Sequence, residues 1–154
     1  MTESNSPVPV WFWIVAGIAL VWNALGIMAY IADVSQTPEQ IAAQSQVIQD
    51  MYAARPAWSV AAFAIAVFVG TLGSLALLLR KSWAVSLLII SLVAVIAQQY
   101  YSFGIAEMHK HIQGSTTFPA IVFLIAVFLV WFARFSRSKG WLSYSSGLCL
   151  IIVP

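Results

Sequence analysis

The sequence predicts an all-α, polytopic membrane protein of four transmembrane helices with one short amphipathic loop helix. Three observations carry that prediction. Of 154 residues, 62% are apolar or aromatic and only 8% are charged, against roughly 25% charged in an ordinary soluble domain. Four uncharged apolar runs are long enough to cross a bilayer. Proline and basic residues punctuate those runs where span ends are expected. So few charges cannot cover the surface of a water-soluble monomer, and this hydropathy is the opposite of a disordered chain's. A net charge of +2 is too small for a nucleic-acid footprint, so no nucleic-acid partner is expected. The single Cys149 leaves no internal disulfide to read.

The spans fall at residues 8–31, 57–79, 83–106 and 116–133. The first is 24 residues, about 36 Å as a helix, against a hydrocarbon core of about 30 Å. No Lys or Arg precedes it and it is too long for a signal-peptide core, so it is expected to stay as a helix. The last span is only just long enough. Pro9, Pro56 and Pro119 stand at first turns, where a missing N–H costs nothing. Between the first two spans, Thr37-Pro38-Glu39-Gln40 reads as a capping box with Pro at the first helical position. Ile41, Ile48, Met51 and Tyr52 then share a side, which predicts a helix over 38–54 lying on the membrane or capping the bundle. Residues 1–143 form one membrane domain in this reading, with 144–154 as a C-terminal extension.

Orientation follows from Lys and Arg. Arg80, Lys81, Arg134, Arg137 and Lys139 lie on the side shared with the N-terminus, and Arg55 and Lys110 on the other. Five against two places both termini in the cytoplasm. Trp11, Trp13, Trp83, Trp131 and Trp141 then form an inner aromatic belt. Tyr30, Tyr52, Trp58, Tyr100 and Tyr101 form an outer one.

Small and polar residues mark the inward faces. In the first span they are Ala16, Ala19, Asn23, Gly26, Tyr30 and Asp33. In the second, Ala62, Ala66, Gly70 and Ser74 repeat at four, with Ser59 and Gly73 nearby, a run that lets helix backbones approach closely. In the third, Ser91, Ala94, Gln98 and Tyr101 share a face. The fourth has no polar residue over 118–132, which predicts the fullest lipid exposure. Span direction gathers most of the polar groups at the outer end. Asn23, Tyr30, Trp58, Gln98 and Tyr101 are the candidate ligand-binding residues: amides, phenols and an indole suit a neutral polar solute. The same groups also suit helix-to-helix hydrogen bonds.

No acid, base or histidine lies at membrane depth, so no proton relay is predicted. Glu107-Met108-His109-Lys110-His111 reads as a solvated loop rather than a metal site, because only Glu107 and His111 share a helical face and a lysine intervenes. No nucleophile–base pair, phosphate loop or paired carboxylates stand out. The sequence therefore predicts neither an enzyme nor a cofactor.

Several strings resemble a family of small bacterial inner-membrane proteins. They are Trp11-Phe12-Trp13-Ile14, Val21-Trp22-Asn23-Ala24-Leu25-Gly26, Met28-Ala29-Tyr30 and Pro56-Ala57-Trp58. The likeness continues through Ala62-Phe63-Ala64-Ile65-Ala66-Val67-Phe68, Gly70-Thr71-Leu72-Gly73, Leu77-Leu78-Leu79-Arg80-Lys81 and Lys139-Gly140-Trp141. It covers roughly residues 8–143. Members often carry the label sugar transporter. The resemblance implies the four-span fold and a neutral, sugar-like solute as ligand. Four helices make a thin wall for a pathway, so a carrier would need a homo-oligomer or another membrane protein as partner. A non-transporting scaffold, binding a partner through the small-residue face of the second span, is the alternative.

Overall fold

The computed structural model describes residues 7–105 and 116–143. The helices are α1 (Val10–Val34), α2 (Pro38–Ala42), α3 (Gln46–Ala54), α4 (Ala57–Leu78), α5 (Ala84–Gln99) and α6 (Thr117–Ser138). A π-helical segment, Tyr100–Ile105, continues α5. The described residues form an all-α bundle in which α1, α4, α5 with its extension, and α6 are each long and apolar enough to cross a bilayer. The chain is a multi-pass integral membrane protein.

Helix starts follow the prolines. Pro9 and Pro56 are the N-cap residues of α1 and α4, and Pro119 lies in the first turn of α6. Both α4 and α6 end in Schellman motifs. Gly140 takes φ 73°, which suits the left-handed position after a helix, and Trp141 N–H donates to Ser136 O. Arg80 takes the same place after α4 at φ 57°, and Lys81 N–H donates to Ala76 O.

The spans pack in the order α1, α4, α5, α6. Small residues hold the seams, as the sequence predicted. Ser59, Ala62, Ala66, Gly70, Gly73 and Ser74 of α4 are buried, as are Ala16 and Ala19 of α1 and Ser91 and Ala94 of α5. The inward face of α4 is thus packed against α1 and α5. α1 and α6 meet through Trp11, Phe12, Phe132 and Trp141, with ring centroids 5.3–5.9 Å apart. Apart from this cluster, α1 packs chiefly on α4 and α6 on α5. We call the end with this aromatic cluster the basic end, because Arg80, Lys81, Arg137 and Lys139 gather there. The other is the capped end, covered by α2 and α3.

Four expectations change. The loop helix is two helices, Pro38–Ala42 and Gln46–Ala54. The Gln49 amide donates to Ala42 O and Gln44 O, satisfying carbonyls that a continuous helix would have used. The Thr37–Gln40 capping box is present. α6 does not stop before Arg134 but runs to Ser138, because Arg134 and Arg137 are exposed while Ala133 and Ser136 beside them are buried. α6 is also not the span most open to lipid: 22% of its apolar window is buried, against 11% for α1. Finally, Trp141 is not a belt residue. It is 8% exposed and its indole packs edge-on against Trp11 and Phe12. The stretch 107–111 and the tail 144–154 lie outside the described residues.

Candidate functional site

Polar residues at the capped end form one connected network. It begins where α1 emerges, at Asp33. Arg55, in the linker that Pro56 forces into an extended conformation, donates from both terminal nitrogens to the Asp33 carboxylate at 3.0 and 2.6 Å. The Tyr52 hydroxyl donates to the same carboxylate at 2.8 Å. Gln36 donates to Tyr52 at 3.0 Å, and Gln44 donates to Gln36 at 2.8 Å. The chain of bonds fastens α2 and α3 to the end of α1. Burial, then the adjacent Asp33 carboxylate accepting its proton's hydrogen bond, raises the Tyr52 hydroxyl above the usual phenol range. The Asp33 hydrogen bond, opposed by burial, raises Arg55 further above an ordinary guanidinium. The pair is therefore ionised and jointly neutral at physiological pH.

Beneath this network lies a cavity of about 680 Å³, walled by all four spans. That is within the roughly 300–1,000 Å³ of small-molecule pockets. Its capped end carries Asp33, Arg55, Tyr52, Gln98 and Tyr101, and its depth is apolar apart from Asn23 and Ser91. Leu25 and Ala29 of α1 and Phe118 of α6 line it while remaining exposed. They mark its mouth, on the side where α1 and α6 do not pack. Ile48 and Met51 of α3 close it from above. The Arg55 Nε atom is buried and has no hydrogen-bond partner.

Comparison of the chain with family models, curated proteins and solved structures finds no match. The geometry alone therefore bears on the five candidate residues. Asn23, Gln98 and Tyr101 line the cavity together. Asn23 also serves packing: its amide donates to Ala19 O at 2.9 Å and to Ser74 Oγ of α4 at 3.0 Å. Gln98 accepts from Ser59 at 3.0 Å. Tyr30 and Trp58 are not cavity residues. The Tyr30 ring packs edge-on against Phe63 and Phe68, and Trp58, half-exposed, packs edge-on against Tyr101. Asp33, Arg55, Tyr52 and Gln44, which are not among those five, join the site through the network. Their signal was an acid, a base, a phenol and an amide within one connection that must return to the same end of the bundle. Among the described residues no three His, Cys, Asp or Glu side chains gather as metal ligands.

Proposed function

We propose that this chain binds a small uncharged molecule in the cavity between its spans and acts as a carrier, or a carrier subunit, for it. The single observation behind this reading is a cavity of about 680 Å³ whose polar groups converge mainly at one end. Such a pocket is costly inside a membrane bundle unless something fills it, because its lining loses packing contacts. The neutrality of the Asp33–Arg55 pair favours an uncharged ligand. The resemblance to bacterial inner-membrane proteins labelled sugar transporter, and five Lys and Arg against two, favour an inner-membrane location with both termini cytoplasmic. A thin four-helix wall favours an oligomer as the working unit. The scaffold alternative loses its motive, since the small-residue face of α4 is already covered by α1 and α5.

The test is a cavity-filling variant. Ala29 lines the cavity and is exposed, so Ala29→Trp obstructs the mouth without displacing a buried neighbour. Purified parent protein should melt higher in the presence of one or more members of a panel of neutral solutes, sugars and amphiphiles included. Ala29→Trp should melt like the ligand-free parent and fail to respond. If no compound separates parent from variant, the binding reading is wrong.

A further inference from the structure

We infer that the ligand is a neutral single-chain amphiphile, taken from the bilayer through the gap between α1 and α6. The inference rests on the cavity-binding reading above and narrows it. Three features of the site set the ligand's chemistry. First, the deep wall is apolar, formed by side chains such as Trp22, Val67, Leu88, Val122 and Leu129. A sugar placed there would leave most of its hydroxyl groups unpaired, each at the desolvation cost of a buried polar group. An alkyl chain has nothing to satisfy and gains the missing packing contacts.

Second, the polar lining gathers at the capped end, the deeper Asn23 and Ser91 being engaged by α4. The two terminal nitrogens of Arg55 are engaged by Asp33, and the pair is jointly neutral. A head with a net charge would find no free counter-charge there. What remains for a head group is neutral polarity, the Gln98 amide and the Tyr101 hydroxyl of the cavity lining. Amide and hydroxyl groups both donate and accept, which suits an ester carbonyl or a hydroxyl.

Third, the mouth faces the bilayer. Leu25 is 54% exposed and Phe118 is 67% exposed, and both line the cavity. They sit on α1 and α6, the two ends of the packing order α1, α4, α5, α6. A ligand already dissolved in the bilayer meets this mouth directly, with its tail at the depth of the apolar wall and its head level with Arg55.

The experiment uses the full chain in phosphatidylcholine nanodiscs with a monoacylglycerol carrying a diazirine near the tail end. Saturable cross-linking should fall on lining residues such as Trp22 or Val122 and be competed by monoolein. Ala29→Trp should abolish it. Gln98→Leu removes a polar group at the head position and should weaken apparent affinity about three- to tenfold. It leaves Arg55 and its bonds to Asp33 in place, so the loss reports the head contact and not loss of the cap. Labelling confined to exposed, non-lining positions such as Ile18 and Leu124, without saturation, overturns the inference. Equal competition by oleate or by an alkyltrimethylammonium ion overturns the neutral head. If neutral sugars raise the melting temperature and monoolein does not, the amphiphile falls and the binding reading stands. If neither class does, both fall.

Discussion

Gly70→Ala should be the most damaging single-methyl change in the bundle. Gly70 sits where α1, α4 and α5 meet. A Cβ there would press on Asn23 Oδ1 of α1 and stand 2.8 Å from Ser91 Oγ of α5. Neither atom is free to move. The Asn23 amide holds Ser74 Oγ at 3.0 Å, and Ser91 Oγ donates to Ala66 O at 2.7 Å. Breaking two interhelical bonds costs about 0.6 kcal/mol each. Overpacking adds about 1–3 kcal/mol, and alanine's better helix propensity returns up to about 1 kcal/mol. The variant should lie about 1–3 kcal/mol below the parent. Gly17→Ala is the control, because a Cβ there meets nothing within 4 Å. It should be neutral or slightly stabilising. Gly73→Ala should fall between them, since the clash there is with the Leu88 side chain, which has other rotamers. The assay is reversible unfolding in mixed dodecylmaltoside–SDS micelles, followed by far-UV circular dichroism. Asn23→Ala in the Gly70→Ala background should recover part of the loss by removing the obstructing amide. Equal stability of the Gly70 and Gly17 variants would refute the three-helix contact.

Three further outcomes are expected. Thr37→Ala removes a side-chain cap worth about 0.5–2 kcal/mol; because α2 ends at Ala42, amide exchange should quicken at Gln40 and Ile41 and stay unchanged over residues 47–51, and quickening across both stretches would show that α2 and α3 are one cooperative unit. Reporter fusions at residues 45, 81, 112 and 140 should alternate between outside and inside, and an active periplasmic reporter at 140 would reverse the orientation. Because the Tyr52 pKa is raised in the folded state, its contribution is fully present below the ordinary phenol value of about 10 and is lost as pH rises through the folded value; Tyr52→Phe should remove that alkaline loss of cap stability, and an identical pH profile in the variant would exclude Tyr52 as its source.

The parts of the fold legible in the sequence are those where lipid removes the alternatives. Inside a bilayer, close packing falls to small residues and polar side chains must find partners within the protein. Hence Ala16, Ala19, Asn23 and Gly26 marked the inward track of α1, and the four-residue repeat through Gly70 marked that of α4. Spacing fixes the direction of a Cα–Cβ bond but not where a large ring comes to rest. Tyr30 shares the α1 track, yet its ring lies against Phe63 and Phe68 rather than in the cavity. The break between α2 and α3 was hidden because Ile41 and Ile48 keep a helical spacing across it. What interrupts the helix is a side chain, Gln49, competing for backbone carbonyls. The end of α6 was misread because charge was taken as a stop. The real stop, Gly140 after Lys139, is a conformational signal and stood in plain view. The cavity itself was only half legible: the polar end could be located, but the apolar depth depends on α6 standing away from α1.

That separation follows from how unequally the two ends are fastened. At the basic end, Arg80 occupies a left-handed position that glycine fills at Gly140. A non-glycine residue there is strained by about 1–2 kcal/mol. The strain is offset because the Arg80 Nε donates to Trp141 O at 2.7 Å, while Ser143 N–H donates to Arg80 O and Ser82 N–H to Ser143 O. These bonds clamp the end of α4 to the segment after α6, although α4 and α6 are not neighbours in the packing order. The same Trp141 carries its indole into the rings of α1 and α6. Three spans are thus closed around one tryptophan. Among the described residues no such closure stands at the capped end. There α1 is tied to the cap helices and the linker, through Asp33, Tyr52 and Arg55, and α6 is tied to α5 through Gln99 and Pro119 O. Nothing polar among these bonds joins α1 to α6. The basic end is thus stapled by rings and backbone bonds, while the cap at the other end is held to α1 by the Asp33–Arg55–Tyr52 network.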